Sequence, residues 1–269
     1  MALSKIRMLV GDDSKVVHGL FTDIMAKWPK PVTLLSAYDG RQCVTFFEQG
    51  HIDLAYIDVA MPEMNGMEAI ARLRYRGNRT FITLMSGTGS DVRFQLARYL
   101  KTYEFLVKPF TPENILRILR IHHRVSLPTR VVIVDDSATV RRMVKKILAG
   151  SIFAIQVAEA KNGEDALVMC ADGGFDIVFL DCNMPGLNGL ETLDGLLTRN
   201  PDAKVIMMSG ERNETTVARA RERGALEFLY KPFFPRDVDR VVHLAYDIAP
   251  PKLTDVPDGD FPNLPPLPM

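Results

Sequence analysis

Two sets of residues in this 269-residue chain carry the functional groups for one and the same chemistry. The first is Asp12-Asp13, Asp58, Ser86 and Lys108; the second is Asp135-Asp136, Asp181, Ser209 and Lys231. Each set holds three carboxylates, a hydroxyl and an ammonium, with no histidine or cysteine among its members. Carboxylates crowded together raise one another's pKa unless a cation or a proton lies between them. An oxygen-only donor set suits Mg²⁺, which keeps several waters and leaves room for a phosphoryl oxygen. The chemistry this allows is phosphoryl transfer, in which protein groups mainly position and neutralise. A carboxylate then serves as nucleophile and becomes an aspartyl phosphate. Asp58 and Asp181 are the candidates, because each ends its apolar run alone before a Met-Pro-x-x-Asn-Gly turn, whereas the paired acids are better suited to hold metal. Lys108 and Lys231 would balance charge on phosphoryl oxygens, and Ser86 and Ser209 would offer a hydroxyl.

The elements that must position these groups are short apolar runs. Val131-Val132-Ile133-Val134 ends in Asp135-Asp136-Ser137, and Met8-Leu9-Val10-Gly11 ends in Asp12-Asp13-Ser14. β-Branched runs of this length fit central strands of a parallel sheet better than helices. Strands are expected near 5 to 11, 32 to 36, 53 to 58, 80 to 86 and 104 to 107, and again near 131 to 135, 153 to 158, 176 to 181, 204 to 209 and 226 to 230, with amphipathic helices between them. This βα alternation predicts an α/β protein whose parallel sheets are covered by helices on both faces. Ligands of such sheets bind at the C-terminal strand edge, where the acids fall.

The halves superpose at a constant offset of 123 without a gap. Asp12, Asp13, Ser14, Gly40, Asp53 and Asp58 map onto Asp135, Asp136, Ser137, Gly163, Asp176 and Asp181. Met61-Pro62, Asn65-Gly66, Met85-Ser86-Gly87, Glu104-Phe105-Leu106 and Lys108-Pro109-Phe110 recur as Met184-Pro185, Asn188-Gly189, Met208-Ser209-Gly210, Glu227-Phe228-Leu229 and Lys231-Pro232-Phe233. Matches in one register at several strand ends define a duplicated domain. The expected organisation is a first domain over 1–124, a linker over 125–129 and a second domain over 130–249. A proline-rich segment follows over 250–269, expected to be extended or disordered.

Both halves resemble the receiver domains of bacterial two-component response regulators, on the strength of the acid pair, the Asp before Met-Pro, the Ser and the Lys-Pro-Phe. The resemblance implies two flavodoxin-like (βα)5 domains, each with a five-stranded parallel sheet of order 2-1-3-4-5. It implies Mg²⁺-dependent phosphorylation of Asp58 and Asp181 from the phosphohistidine of a sensor histidine kinase or histidine phosphotransfer protein. The metal is then expected on Asp12, Asp13, Asp58 and the Ala60 backbone, and on Asp135, Asp136, Asp181 and the Asn183 backbone. The Lys108-Pro109 and Lys231-Pro232 bonds are expected to be cis, and Phe105 and Phe228 to follow the Ser86 and Ser209 hydroxyls on switching. Ala60 and Asn183, with Thr88 and Glu211, border the path of hydrolytic water and differ between copies, so unequal phosphoryl lifetimes are expected.

This reading makes the chain a signalling protein without a separate output domain, acting through a downstream protein target, with a homodimer among the assemblies it permits. The alternative is a constitutive interaction scaffold with one or both receivers not phosphorylated, against which the intact residue sets argue. Enzymatic turnover of a small substrate is not expected beyond self-phosphorylation and autodephosphorylation, since no second acid stands two residues after Asp58 or Asp181. No run of apolar residues is long enough to span a membrane, and a cytoplasmic location is the expectation. Cys43, Cys170 and Cys182 lack metal or disulfide spacing and read as reduced, packed thiols. Residues 1–124 carry 17 Lys+Arg against 12 Asp+Glu and the remainder 16 against 21, a charge of +5 against −5. The Arg72, Arg74, Arg76, Arg79 cluster lacks interleaved aromatics and reads as a solvated helix face, not a nucleic-acid surface. His122 and His123 read as a solvated helix end.

Overall fold

In the computed structural model the described residues are 5–171, 174–251 and 253, and they form two compact units that divide at His122 and His123. The first unit runs β1 (Ile6–Gly11), α1 (Lys15–Lys27), β2 (Val32–Ala37), α2 (Gly40–Gln49), β3 (Leu54–Asp58), α3 (Gly66–Tyr75), β4 (Phe81–Ser86), α4 (Asp91–Tyr99) and β5 (Glu104–Val107), followed by α5 (Pro112–Val125). The chain continues as β6 (Thr129–Val134), α6 (Ala138–Leu148), β7 (Ile155–Ala160), α7 (Gly163–Met169), β8 (Ile177–Asp181), α8 (Gly189–Arg199), β9 (Lys204–Ser209), α9 (Glu214–Glu222), β10 (Glu227–Tyr230) and α10 (Pro235–Leu244). All pairings are parallel, in the orders β2-β1-β3-β4-β5 and β7-β6-β8-β9-β10, the expected 2-1-3-4-5 arrangement twice.

The central strands are buried on both faces, which is why they read as unbroken apolar runs rather than alternating ones. In the first unit Leu9, Ala55, Ile57, Ile82 and Leu84 face α2, α3 and α4, while Met8, Val10, Leu54, Tyr56 and Met85 face α1 and α5. Val132, Val134, Val178, Leu180, Val205 and Met207 repeat the first of these clusters in the second unit. Both lysine-proline bonds are cis, as expected. The cysteines are buried and free, and burial lifts the Cys43 thiol to about 12 and the Cys182 thiol to about 11.

Four particulars differ from the sequence expectations. β7 begins two residues later than predicted, because Phe153 is drawn into the core, stacked 5.7 Å from Tyr246 and edge-on to His243 at 5.1 Å. Arg74 is not solvated: it is buried and donates to the carbonyls of Leu100, Asn78, Thr80 and Lys101 at 2.8 to 3.0 Å, and burial lowers its pKa to about 10. A guanidinium has enough donors to close the end of α3, the strand entry and the end of α4 at once. His122 is likewise buried, edge-on to Phe81 at 5.4 Å. Finally, most of the proline-rich segment lies outside the described residues, but Leu253 is buried within the apolar cluster of the first unit. Only residues 126–128 separate α5 from β6.

Candidate functional site

Each acid pair leaves its strand with one member turned in and the other out. Asp12 is fully buried and Asp13 exposed; Asp135 and Asp136 repeat the pattern. One carboxylate oxygen of the inner acid accepts from the backbone two residues on, Ser14 N to Asp12 Oδ1 at 3.0 Å and Ser137 N to Asp135 Oδ1 at 2.8 Å. The other accepts from the lysine: Lys108 Nζ lies 2.6 Å from Asp12 Oδ2 and 3.0 Å from Asp58 Oδ2. In the second unit Lys231 Nζ lies 2.8 Å from both Asp135 Oδ2 and Asp181 Oδ1. One ammonium thus joins residues 96 and 50 positions away in sequence to a single point at the sheet edge.

The turn after β3 is fixed by two residues of the repeated motif. Asn65 caps α3, its side chain accepting from Glu68 N at 2.9 Å; Asn188 caps α8 in the same way and is answered by Glu191, whose carboxylate accepts from Asn188 N at 3.1 Å. Gly66 and Gly189 then pass close under the phosphoacceptor candidate: a Cβ on Gly66 would stand 2.0 Å from the Asp58 carbonyl oxygen.

The electrostatics follow from burial. Burial pushes the Asp58 and Asp181 carboxyls above the ordinary value of 3.8; the lysines oppose this and the neighbouring Asp12 and Asp135 charges add to it. For Lys108 and Lys231 burial acts downward, but the bonds and charges of the two flanking aspartates outweigh it and hold the ammonium above its ordinary 10.5. Asp58 Oδ1 is buried without a hydrogen-bond partner of ordinary geometry. Oxygens of Asp12, Asp13 and Asp58 all lie within 4.8 Å of one another, and those of Asp135, Asp136 and Asp181 do the same. Two hard-oxygen clusters of this span, one of them containing an unpaired buried oxygen, fit an octahedral divalent cation such as Mg²⁺.

A raised carboxyl pKa means that the fold favours the protonated acid, so its contribution to stability is present below 3.8 and is lost as pH rises through the folded-state value. Asp58→Asn and Asp181→Asn are therefore expected to raise the urea midpoint of the metal-free protein at pH 7. The gain should vanish in acid, where the parent carboxyl is also neutral. A lower midpoint at pH 7 would contradict this.

The hydroxyls at the ends of β4 and β9 are engaged by the loops that follow them. Ser86 Oγ donates to the Thr88 carbonyl at 2.8 Å and Ser209 Oγ to the Glu211 carbonyl at 3.0 Å. Phe105 and Phe228 are both buried; Phe105 stands edge-on to Phe94 at 4.8 Å. Ala60 and Asn183 follow the central aspartate, their backbone amides lowering its pKa slightly. The acids, the serines and the lysines of the two sets therefore lie at or just beyond the C-terminal ends of their strands.

Three supports were not legible in the sequence. His18 Nε2 donates to the Asp12 carbonyl at 2.8 Å, whereas in the second unit Arg141 Nη1 donates to the Asp135 carbonyl at 2.7 Å and its Nε reaches Glu159 at 3.2 Å. The third is Arg93, whose Nη1 donates to Ser86 Oγ at 2.9 Å. His18 and Arg141 are 123 apart, but with unlike residue types no alignment of the halves marks them.

The chain is similar to known proteins. The response regulator receiver domain matches residues 8–120 and 131–243. The nitrate/nitrite response regulator protein NarL of Escherichia coli K12 is 34% identical over 118 residues, 44% of this chain, which spans about half (55%) of NarL. The chemotaxis protein CheY of Listeria monocytogenes is 41% identical over 113 residues, covering 42% of this chain and 92% of CheY. A structure described as a two-component system response regulator/GGDEF domain protein shares the fold across 90% of this chain and 98% of its own, at 20% identity and a TM-score of 0.64. No described helix is long and apolar enough to cross a membrane. With the domain matched twice, over most of its length, the chain belongs to the response regulator receiver domain family.

Proposed function

We propose that each unit is a working phosphorylation switch, with Asp58 and Asp181 as phosphoacceptors and a sensor histidine kinase or histidine phosphotransfer protein as donor. The observation that carries this is the repeated lysine bridge, Lys108 to Asp12 and Asp58 and Lys231 to Asp135 and Asp181. A structural ion pair needs one carboxylate for one ammonium. Two buried acids on one lysine, with a third acid beside them, leave an excess of negative charge that suits a cation.

In the step proposed, an Asp58 carboxylate oxygen attacks phosphorus. The O–P bond forms as the P–N bond of phosphohistidine breaks, and its electron pair remains on the imidazole nitrogen. Lys108 holds the nucleophile in place beforehand, then stands beside the new phosphoryl oxygens while keeping Asp12. Asp12, Asp13 and Asp58 with the Ala60 backbone would hold Mg²⁺ in the first site, and Asp135, Asp136 and Asp181 with the Asn183 backbone in the second. Bound Mg²⁺ supplies charge neutralisation to the phosphoryl oxygens. The Ser86 hydroxyl then exchanges the Thr88 carbonyl for a phosphoryl oxygen, a charge-assisted bond. That bond biases the packing of Phe105 and α4 and so the affinity for a downstream protein. Ser209 and Phe228 act likewise in the second unit.

Intact mass after treatment with acetyl phosphate and Mg²⁺ tests this. Two phosphoryl groups are expected on the parent and one on each of Asp58→Asn and Asp181→Asn. One group on the parent, lost in a single variant, would reduce the other unit to a binding module. No group from acetyl phosphate or from a phosphohistidine donor would leave a constitutive scaffold.

A further inference from the structure

The two units differ at one position that touches the switch hydroxyl. In the first, Arg93 Nη1 donates to Ser86 Oγ at 2.9 Å and to the Thr88 carbonyl at 3.1 Å, and also engages the Thr88 hydroxyl. In the second, the residue 123 positions on is Thr216, and Ser209 keeps the two loop bonds that Ser86 also makes, giving to the Glu211 carbonyl and accepting from Glu211 N at 3.1 Å, as Ser86 gives to the Thr88 carbonyl and accepts from Thr88 N at 3.3 Å.

Arg93 also stands where a cation is disfavoured. Ser90 caps α4 and accepts from Arg93 N, which makes Arg93 the third helical residue. That position faces the positive end of the helix dipole and favours acids, as at Glu68 in α3, Asp165 in α7, Glu191 in α8 and Asp237 in α10. The three acceptors around Nη1 are uncharged oxygens, a role that a glutamine or a threonine fills without the penalty of the dipole. A local rule broken beside a reactive site points to a ligand that needs the charge.

Resting on the reading of Asp58 as phosphoacceptor, we infer that Arg93 is a second cationic contact for the phosphoryl group, carried by Ser86 and present in the first unit alone. Ser86 Oγ both accepts from Arg93 and donates to Thr88. When its proton turns to a phosphoryl oxygen, the Arg93 bond need not break, and it polarises the hydroxyl as a donor. The guanidinium then exchanges neutral acceptors for an anion. The Thr88 bonds are already charge-assisted through the guanidinium, so what the exchange adds is the attraction of opposite charges at contact distance in a partly buried site, which outweighs the loss of the Thr88 contacts. The consequence is an asymmetric pair: the first site holds its phosphoryl group more tightly than the second, and moves the first turn of α4 in doing so.

Beryllofluoride, which stands in for the phosphoryl group on an aspartate, tests the assignment in the full chain with Mg²⁺. The first site is isolated by Asp181→Asn and the second by Asp58→Asn. Arg93→Gln is expected to weaken beryllofluoride binding at the first site about tenfold and leave the second unchanged, where tenfold corresponds to about 1.4 kcal/mol. Arg93→Lys should restore binding to within about threefold of the parent, because the charge is kept. The salt dependence of binding at the first site should be shallower in Arg93→Gln, a change that mere loosening of α4 would not cause. Thr216→Arg should tighten the second site. Unchanged affinity in Arg93→Gln would overturn the inference, and tighter binding would overturn it by showing that Arg93 holds Ser86 back. Failure of the otherwise unsubstituted first site to bind beryllofluoride would overturn the receiver reading of that unit itself.

Discussion

Lys108→Ala is expected to cost the metal-free first unit about 3 kcal/mol, read as a lower urea midpoint, and to abolish labelling of Asp58. Asp12 and Asp58 are both buried, and Lys108 Nζ at 2.6 and 3.0 Å is their shared partner. Removing one member of a buried ion pair leaves uncompensated charge and typically costs about 3 to 5 kcal/mol. The lower end applies, because Lys108 retains 24% of its side-chain exposure and water can enter its place. Asp58, already raised by burial, loses the ammonium that opposes the shift and titrates higher still. Mg²⁺ should therefore restore much of the lost stability, since cation binding to the native state alone adds free energy that grows with the logarithm of its concentration once that exceeds Kd. Labelling should not return with it, because the lysine positions the nucleophile and meets the phosphoryl oxygens, and one cation cannot occupy both places. Lys231→Ala should repeat the result in the second unit. A midpoint shift below about 1 kcal/mol, in the range of exposed pairs, would show that the bridge is solvated and would remove the physical basis of the site.

Gly66→Ala is expected to be as severe from a single added methyl group. The new Cβ would meet the Asp58 carbonyl oxygen at 2.0 Å, the Ile57 side chain at 2.8 Å and the Asp58 carbonyl carbon at 2.9 Å. Two of these neighbours are backbone atoms of β3, whose register is fixed by β1 and β4 on either side. Neither partner can give way without moving the phosphoacceptor or breaking the Gly66 N to Val59 O bond of 3.0 Å. Overpacking a closed site costs about 1 to 3 kcal/mol, and the upper value is expected here. Labelling of Asp58 should fall while Asp181 stays active. Gly189→Ala, with its Cβ 2.4 Å from the Asp181 carbonyl oxygen, should do the converse. Gly19→Ala is the control. It is exposed within α1, a Cβ there meets nothing within 4 Å, and alanine should stabilise by up to about 1 kcal/mol. Urea midpoints of the three variants, read with site-resolved mass labelling, check the ordering.

Reading the chain alone goes furthest where meaning is local. Strand ends followed by Asp-Asp-Ser, Asp before Met-Pro, Asn-Gly and Lys-Pro-Phe each bind structure and chemistry into contiguous residues, and the offset of 123 confirms each by its copy. That suffices for two parallel sheets and the residues gathered at each edge, because a parallel βα repeat admits few topologies; the strand order is what the resemblance of those motifs to receiver domains implies. The repeat marks Gly66, which recurs as Gly189, and passes over Gly19, whose counterpart is Arg142, but only the path of β3 beneath α3 shows what a methyl group on Gly66 would strike. Reading the chain alone places Arg74 on a solvated face, because the carbonyls that enclose it come from Asn78, Thr80, Leu100 and Lys101, brought together by the ends of α3 and α4. It shifts β7 by two residues, since the pull on Phe153 comes from His243 and Tyr246, some ninety positions away.

The sequence by itself thus determined the duplicated fold and the identity of both acid clusters, because periodicity and strand-end chemistry are written in neighbouring residues. Tertiary structure alone decided which acid of each pair is buried, how one lysine spans two carboxylates, and which hydroxyl has an arginine on it. Those outcomes depend on side-chain direction and on contacts between residues distant in sequence, whose energies are set by burial and do not exist until the sheet has formed.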